Sequence, residues 1–366
     1  MKIIKLIFFL VLFFISCNDN RNELKNIIIE GMVKNIPDGK IYLVESRKWK
    51  TPVDSTDCIG GHFIFKIKIN SSFIPYLAAI HFGDSSKVVR MIYRNHTFGA
   101  DSLKYATDAF YAEPGYIKIE GDNKTVPYLR IYAGRETELL FKNQFIDFGW
   151  IENLDSVQRL STIANFKKTI RQNPYSYFLL ESIYRLKEQY SKSDIKKIFL
   201  LFDKNIQQSA AGELFTNYLA IRPDDGSPFP NILLQDPEDS AQAIFHPAAK
   251  IHMLIFWASW CTPCRKEIPQ LKEIQKKYST RGLQMISISI DEKKDHWRRA
   301  VLMEKMGWLQ VHVPAERFQA VQYQFGFTTI PLIIFTDNDG KEITRFANYD
   351  PGNVGHYDAI ISKNIE

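Results

Sequence analysis

Lys250-Ile251-His252-Met253-Leu254-Ile255-Phe256-Trp257-Ala258-Ser259-Trp260-Cys261-Thr262-Pro263-Cys264 is the stretch on which the reading of this chain turns. Lys250–Ala258 predicts a buried strand, and Cys261–Ser279 predicts a helix that starts where the strand ends. At a helix start, residues three apart share a face. The sulfurs of Cys261 and Cys264 can therefore close a disulfide without moving the backbone. The unpaired N–H groups and the helix dipole at that end favour a thiolate over a thiol. Cys261 is expected to lie beyond the first turn, exposed to a substrate, with Cys264 one turn further in. Pro263 suits the first turn, where a missing N–H costs nothing.

Strand and helix continue to alternate downstream. Leu283–Ile290 predicts a second buried strand, Asp295–Met306 and Ala315–Phe325 predict helices, and Pro331–Thr336 and Lys341–Phe346 predict strands joined by the turn Asp337-Asn338-Asp339-Gly340. Asn353–Ser362 closes the chain as a helix. Apolar strands between helices imply a sheet covered on both faces.

Upstream, Arg222-Pro223-Asp224-Asp225-Gly226-Ser227-Pro228 marks a linker. Before it, residues from about 130 to 220 read as helical. One helix starts at Asn173-Pro174-Tyr175-Ser176 and runs through Tyr190, Ser193-Asp194 caps a second over Ile195–Gln207, and Ala211–Ala220 is a third. This stretch carries no catalytic cluster and reads as a packing spacer. Residues 26 to about 120 read as a small β-sandwich, with strands at Asn26–Val33, Lys40–Val44, His62–Ile69, Leu77–Phe82, Val88–Tyr93 and Tyr116–Glu120. Cys58 falls at a strand edge before the turn Gly60-Gly61 and reads as a half-buried free thiol.

The N-terminus reads as an address. Lys2 and Lys5 precede the apolar run Leu6–Ile15, which is signal-peptide length and well short of the roughly 20 residues that span a bilayer. Phe14-Ile15-Ser16-Cys17 resembles a bacterial lipobox, in which Cys17 is lipidated and becomes the first residue. The expected organisation is a signal peptide over 1–16, a lipid-anchored tether over 17–25, a β-sandwich domain over 26–125, a helical spacer over 126–222 and an α/β domain over 223–366. Export places the cysteines in an oxidising compartment. A net charge of +6 from 47 basic and 41 acidic residues carries no nucleic-acid signature, and four cysteines cannot make a disulfide scaffold.

Phe256-Trp257-Ala258-Ser259-Trp260-Cys261-Thr262-Pro263-Cys264-Arg265-Lys266-Glu267-Ile268-Pro269 resembles the TlpA/ResA type of the thioredoxin superfamily, over roughly residues 229–350. Thr328-Thr329-Ile330-Pro331 resembles the family's cis-proline loop, which faces the cysteine pair. Val53-Asp54-Ser55 with Gly61-His62-Phe63-Ile64-Phe65 resembles an uncharacterised β-domain found ahead of thioredoxin modules in Gram-negative lipoproteins.

The resemblance implies a thioredoxin-like fold and an exported, membrane-anchored protein-disulfide reductase. Its only redox group is the Cys261–Cys264 pair, with no cofactor and no metal. Cys261 attacks and Cys264 resolves. Trp260, Thr329, Ile330 and Pro331 contact the substrate, Ile330 through its backbone, and Trp260 shields the sulfurs. Glu267 has two readings, a carboxylate that tunes the thiols or a first-turn residue that favours the helix dipole. Ile255 stands where thioredoxin has a buried Asp, which points to Glu267 as proton handler. The expected partners are disulfide-containing exported proteins, apocytochromes among them, and a membrane thiol carrier as electron donor. The expected location is a membrane facing the periplasm. A thiol peroxidase needs Thr three residues before its reactive Cys, whereas Ala258 stands three before Cys261 and Cys261 itself stands three before Cys264. A binding lipoprotein with an inert thioredoxin module is the remaining alternative. His246, His252 and His312 are scattered singly and read as structural.

Overall fold

The computed structural model describes residues 26–46, 48–84, 87–94, 106–124, 129–143, 148–151 and 154–365. The expected signal peptide, the Cys17 lipidation site and the tether lie outside the described residues. The chain divides into two compact units, Met1–Phe148 and Gly149–Glu366.

The first unit is strand-rich. Its strands are β1 (Asn26–Lys34), β2 (Gly39–Glu45), β3 (Pro52–Cys58), β4 (His62–Lys68), β5 (Tyr76–Asp84), β6 (Lys87–Arg90), β7 (Tyr93–Arg94), β8 (Ala106–Thr107), β9 (Phe110–Ala112), β10 (Gly115–Asp122) and β11 (Arg130–Tyr132). One sheet has the order β11-β10-β1-β4 and another the order β3-β2-β5-β6, with β9 added to β5. Alternation explains the first of these. Ile27, Ile29, Gly31 and Val33 of β1 are buried, and so are Phe63 and Phe65 of β4, while the residues that alternate with them are more exposed. Gly31 of β1 pairs with Phe63, and a Cβ there would meet the Phe63 ring at 2.0 Å. Cys58 is free and fully buried, not half-buried, at the end of β3.

The unit runs past the boundary at 125 expected from sequence. Helix α1 (Arg135–Lys142) begins at Gly134, which has no side chain to cap it. The buried carboxylate of Glu113 supplies one by accepting the N–H groups of Glu136 and Thr137 at 3.1 and 3.2 Å. That contact ties the helix to the strands.

The second unit opens with helices α2 (Ser156–Gln172), α3 (Tyr177–Leu186), α4 (Lys192–Phe199), α5 (Lys204–Gln207) and α6 (Ala210–Ile221). Asp155 and Gln158 form a capping box on α2, and Ser176, Ser191 and Ser209 cap α3, α4 and α6. The cap expected at Ser193-Asp194 is therefore two residues early, at Ser191. The single helix expected over 195–207 is two, because tight turns at Leu201 and Phe202 end α4. The linker is pinned: Asp225 accepts the N–H groups of Lys192 and Ser193 at 2.7 and 3.0 Å, an acid at a helix start.

The rest of this unit is β12 (Leu233–Gln235), β13 (Ala241–Ala243), β14 (Ile251–Trp257), α7 (Thr262–Tyr278), β15 (Leu283–Ser289), α8 (Lys294–Glu304), β16 (Leu309–His312), α9 (Phe318–Phe325), β17 (Leu332–Asp337), β18 (Glu342–Ala347) and α10 (Asn353–Ile365). The sheet order is β13-β12-β16-β15-β14-β17-β18. β14, β15 and β16 are parallel, while β17 and β18 are antiparallel to their neighbours. Every residue of β14 is buried. Met253, Ile255 and Trp257 pack with α7, α8 and α10, whereas Leu254 and Phe256 pack with α9 on the other face. Both faces are covered, as the apolar strands require.

The helical segment is joined to this sheet. Lys187, beyond α3, is buried, and its Nζ lies 4.3, 5.3 and 5.4 Å from the ring centres of Tyr184, Tyr218 and Tyr323. Tyr323 belongs to α9, and its hydroxyl bonds that of Tyr184 of α3. The expected spacer is therefore part of one unit with the α/β fold.

Candidate active site

The end of β14 delivers Ala258, Ser259 and Trp260 into a turn that closes when the Cys261 N–H donates to Ala258 O at 3.0 Å. Cys261 caps α7 and is bonded to Cys264, with Cα atoms 5.3 Å apart. The Cys264 N–H donates to Cys261 Sγ at 3.2 Å. This is the anion-favouring arrangement expected of a helix start, since a free backbone donor points at the sulfur that must carry charge when reduced. Both cysteines belong to a core cluster with Trp257, Tyr357 and Ile333, and Ile330 packs against that cluster. The Ile330–Pro331 bond is cis.

One expectation is corrected. Cys261 is only 5% exposed, so it does not stand out in solvent, because the same core that buries Cys264 also closes over its N-cap position. Trp260 is 65% exposed. It lines a groove of about 1010 Å³ with Thr328, Thr329 and Ile330, and Phe318 and Phe327 supply apolar wall. Thus the predicted substrate contacts Trp260, Thr329 and Ile330 come together in one groove. Trp257 is in the core.

Glu267 is 1% exposed and lies on the same face of α7 as Cys264. It is not a first-turn residue, and the first turn of α7 holds no acid. Burial pushes its carboxyl up, and the Tyr357 hydroxyl, which donates to Oε1 at 2.7 Å, pulls it partly back. It is thus a buried carboxyl with one hydrogen-bond donor, one turn from a reactive sulfur.

Sequence reading did not single out Asp291. Its buried carboxylate accepts the Ser259 N–H at 2.9 Å, the Ser259 hydroxyl at 2.6 Å and the Ser289 hydroxyl at 2.8 Å. It fixes the turn ahead of Cys261 to the end of β15. His312 Nε2 pairs with Asp291 O at 2.7 Å, and its ring stacks on Trp297 at 5.2 Å. His252 is fully buried, with Nδ1 against Asp337 O at 3.0 Å. Both histidines are structural, and burial holds both below the usual histidine range. Among the described residues no group of three or more His, Cys, Asp or Glu is placed to hold a metal, and no helix is long and apolar enough to cross a membrane.

Residues 249–342 match the family described as thioredoxin-like, and residues 27–140 match a domain of unknown function, DUF4369. The thiol-disulfide oxidoreductase ResA of Bacillus thuringiensis is 29% identical over 157 residues, which is 41% of this chain and 89% of the relative. ResA of Bacillus subtilis is 30% identical over 70 residues, 19% of this chain and 39% of the relative. Among solved structures, the thioredoxin domain of a thiol-disulfide oxidoreductase from Bacteroides vulgatus has a TM-score of 0.35 at 23% identity, over 37% of this chain and 96% of that one. A thiol-disulfide oxidoreductase from Bacteroides fragilis has a TM-score of 0.33 at 23% identity, over 37% of this chain and 99% of that one.

Proposed function

We propose that this chain, with its thioredoxin-like domain over residues 249–342, is a thiol-disulfide oxidoreductase that reduces disulfides in exported proteins. The observation that carries the reading is the bonded Cys261–Cys264 pair at the start of α7, with the Cys264 N–H aimed at the Cys261 sulfur. In the reduced protein, Cys261 attacks one sulfur of a substrate disulfide as a thiolate. The other substrate sulfur leaves as a thiolate and takes up a proton. Cys264 then loses its proton and attacks Cys261 Sγ, which closes the internal disulfide and releases the second substrate thiolate. Two electrons pass to the substrate, and a partner dithiol restores them.

Glu267, buried on the Cys264 face, is the group we assign to accept the Cys264 proton. Thr262-Pro263 between the cysteines contains no histidine to hold a thiolate strongly, which supports reduction over oxidation. Trp260, Thr329, Ile330 and Pro331 take the substrate segment, with the Ile330 backbone pairing in β fashion. The low exposure of Cys261 favours a disulfide presented on an extended segment. The N-terminal sequence supports lipidation at Cys17 and a membrane position facing the periplasm, with a membrane thiol carrier as donor and apocytochromes among the substrates. The Cys264→Ser variant tests the reading: it should accumulate mixed disulfides through Cys261, recoverable by mass spectrometry, whereas Cys261→Ser should form none. Equal yields from the two variants would refute it.

A further inference from the structure

The exposed side of α8 forms a second surface beside the cysteine turn. α8 directs Trp297 and Ala300 into the core, which leaves His296, Arg299, Leu302 and Met303 outward. Leu302 is 76% and Met303 66% exposed. Two adjacent large apolar side chains in water are costly to keep, and such a patch marks an interaction surface when polar groups rim it. Here they do: Ser259, Arg265, His296, Arg299, Leu302 and Met303 line a shallow shelf of about 580 Å³. His296 also lines the groove that holds Trp260 and Thr328–Ile330, so shelf and groove adjoin at that residue.

Among the described residues the shelf is lined by Arg265, His296 and Arg299 and by no carboxylate. Arg265 is matched by Glu304 at 2.6 Å. Arg299 donates only to a carbonyl of its own helix, Asp295 O, at 3.3 Å, and among the described residues no ion pair includes it.

We propose that this shelf docks an acidic segment of the redox partner, with one apolar side chain over Leu302 and Met303 and a carboxylate on Arg299, so that the partner's disulfide meets Cys261. The proposal rests on the oxidoreductase reading above and adds the class of segment recognised. Charge complementarity of this kind steers encounter and selects partners.

The full chain, kept reduced by dithiothreitol whose uncatalysed rate is subtracted, is tested on three disulfides: neutral 2,2′-dithiodipyridine, a bridged peptide flanked by Asp and Leu, and the same peptide flanked by Lys and Leu. The acidic peptide should be preferred about tenfold in kcat/KM at low ionic strength, and the preference should shrink as salt screens it. Arg299→Glu should bring the ratio to one or invert it, and Met303→Ser should raise KM for the acidic peptide about threefold. Equal kcat/KM for the two peptides, or a preference that survives Arg299→Glu, overturns the proposal while dithiodipyridine turnover leaves the oxidoreductase reading standing. No turnover of any of the three overturns both.

Discussion

Replacing Glu267 by Gln removes a buried negative charge while keeping an oxygen for the Tyr357 hydroxyl. Cys264 and Glu267 are three apart on α7, so their Cβ atoms are about 5–6 Å apart. At about 6 Å and an effective dielectric of about 20, an ionised Glu267 opposes a thiolate at Cys264 by about 3 kcal/mol, or about a hundredfold in thiolate population. That is a ceiling, because burial pushes the Glu267 carboxyl up and leaves part of it neutral as pH falls. The variant should therefore show faster thiol alkylation than the parent, by about tenfold to a hundredfold where Glu267 is fully charged, and the gap should close in acid. Iodoacetamide labelling of the reduced protein across pH, with each cysteine read by mass spectrometry, measures this. Stability supplies a second reading. A carboxyl raised by folding ionises first in the unfolded chain, so the parent loses stability as pH rises from the ordinary carboxyl range through the folded value. The Gln variant should thus gain melting temperature over the parent at neutral pH and not at pH 4. Superimposable alkylation profiles would show that the carboxylate does not act on the thiols, and the assignment of Glu267 as proton acceptor would fall.

Asp291→Ala leaves the Ser259 N–H and two hydroxyls without their acceptor. A loss of about 1–3 kcal/mol in urea unfolding is expected, together with slower disulfide exchange because the turn before Cys261 is no longer held; unchanged exchange would remove Asp291 from the site. His252→Gln should flatten the acid side of the stability curve. Burial holds His252 below its ordinary value of 6.5, so the unfolded chain takes up the proton first, and the parent loses stability as pH falls below about 6.5. Urea midpoints between pH 7 and 5 measure the difference, and parallel curves would refute it. Lys187→Met removes the cation held among three tyrosine rings and should cost about 2 kcal/mol, read as a lower melting temperature; an unchanged melt would mean that the cage does not bind the helical segment to α9.

The β14–α7 core of the site is legible because its signals are local. An apolar strand, a CxxC spacing and an X-Pro loop each lie within a few residues, and each appears where expected. The partners that complete the site come from far along the chain. Tyr357 reaches Glu267 across 90 residues and Asp291 reaches Ser259 across 32, and no periodicity announces either. Strand β3 was missed because Asp54, Ser55, Thr56 and Asp57 carry no apolar alternation, as suits an edge strand with little to bury. Strands β12, β13 and β16 are three or four residues long, too short for a pattern. Nothing in the sequence around Lys187 marks it, and only tertiary packing of tyrosines from α3, α6 and α9 makes it an interior cation.

The place of β1 has a mechanical consequence. It is the first described strand, yet it lies inside its sheet, zipped to β10 through eight residue pairs and to β4 through seven. A pull on the chain ahead of residue 26, directed along the strand, would load both rows of hydrogen bonds in shear, not one after another as in peeling. An attachment at that end would therefore grip the β-rich unit by its most strongly seated segment, and the fold would resist traction there far better than at an outer strand such as β3.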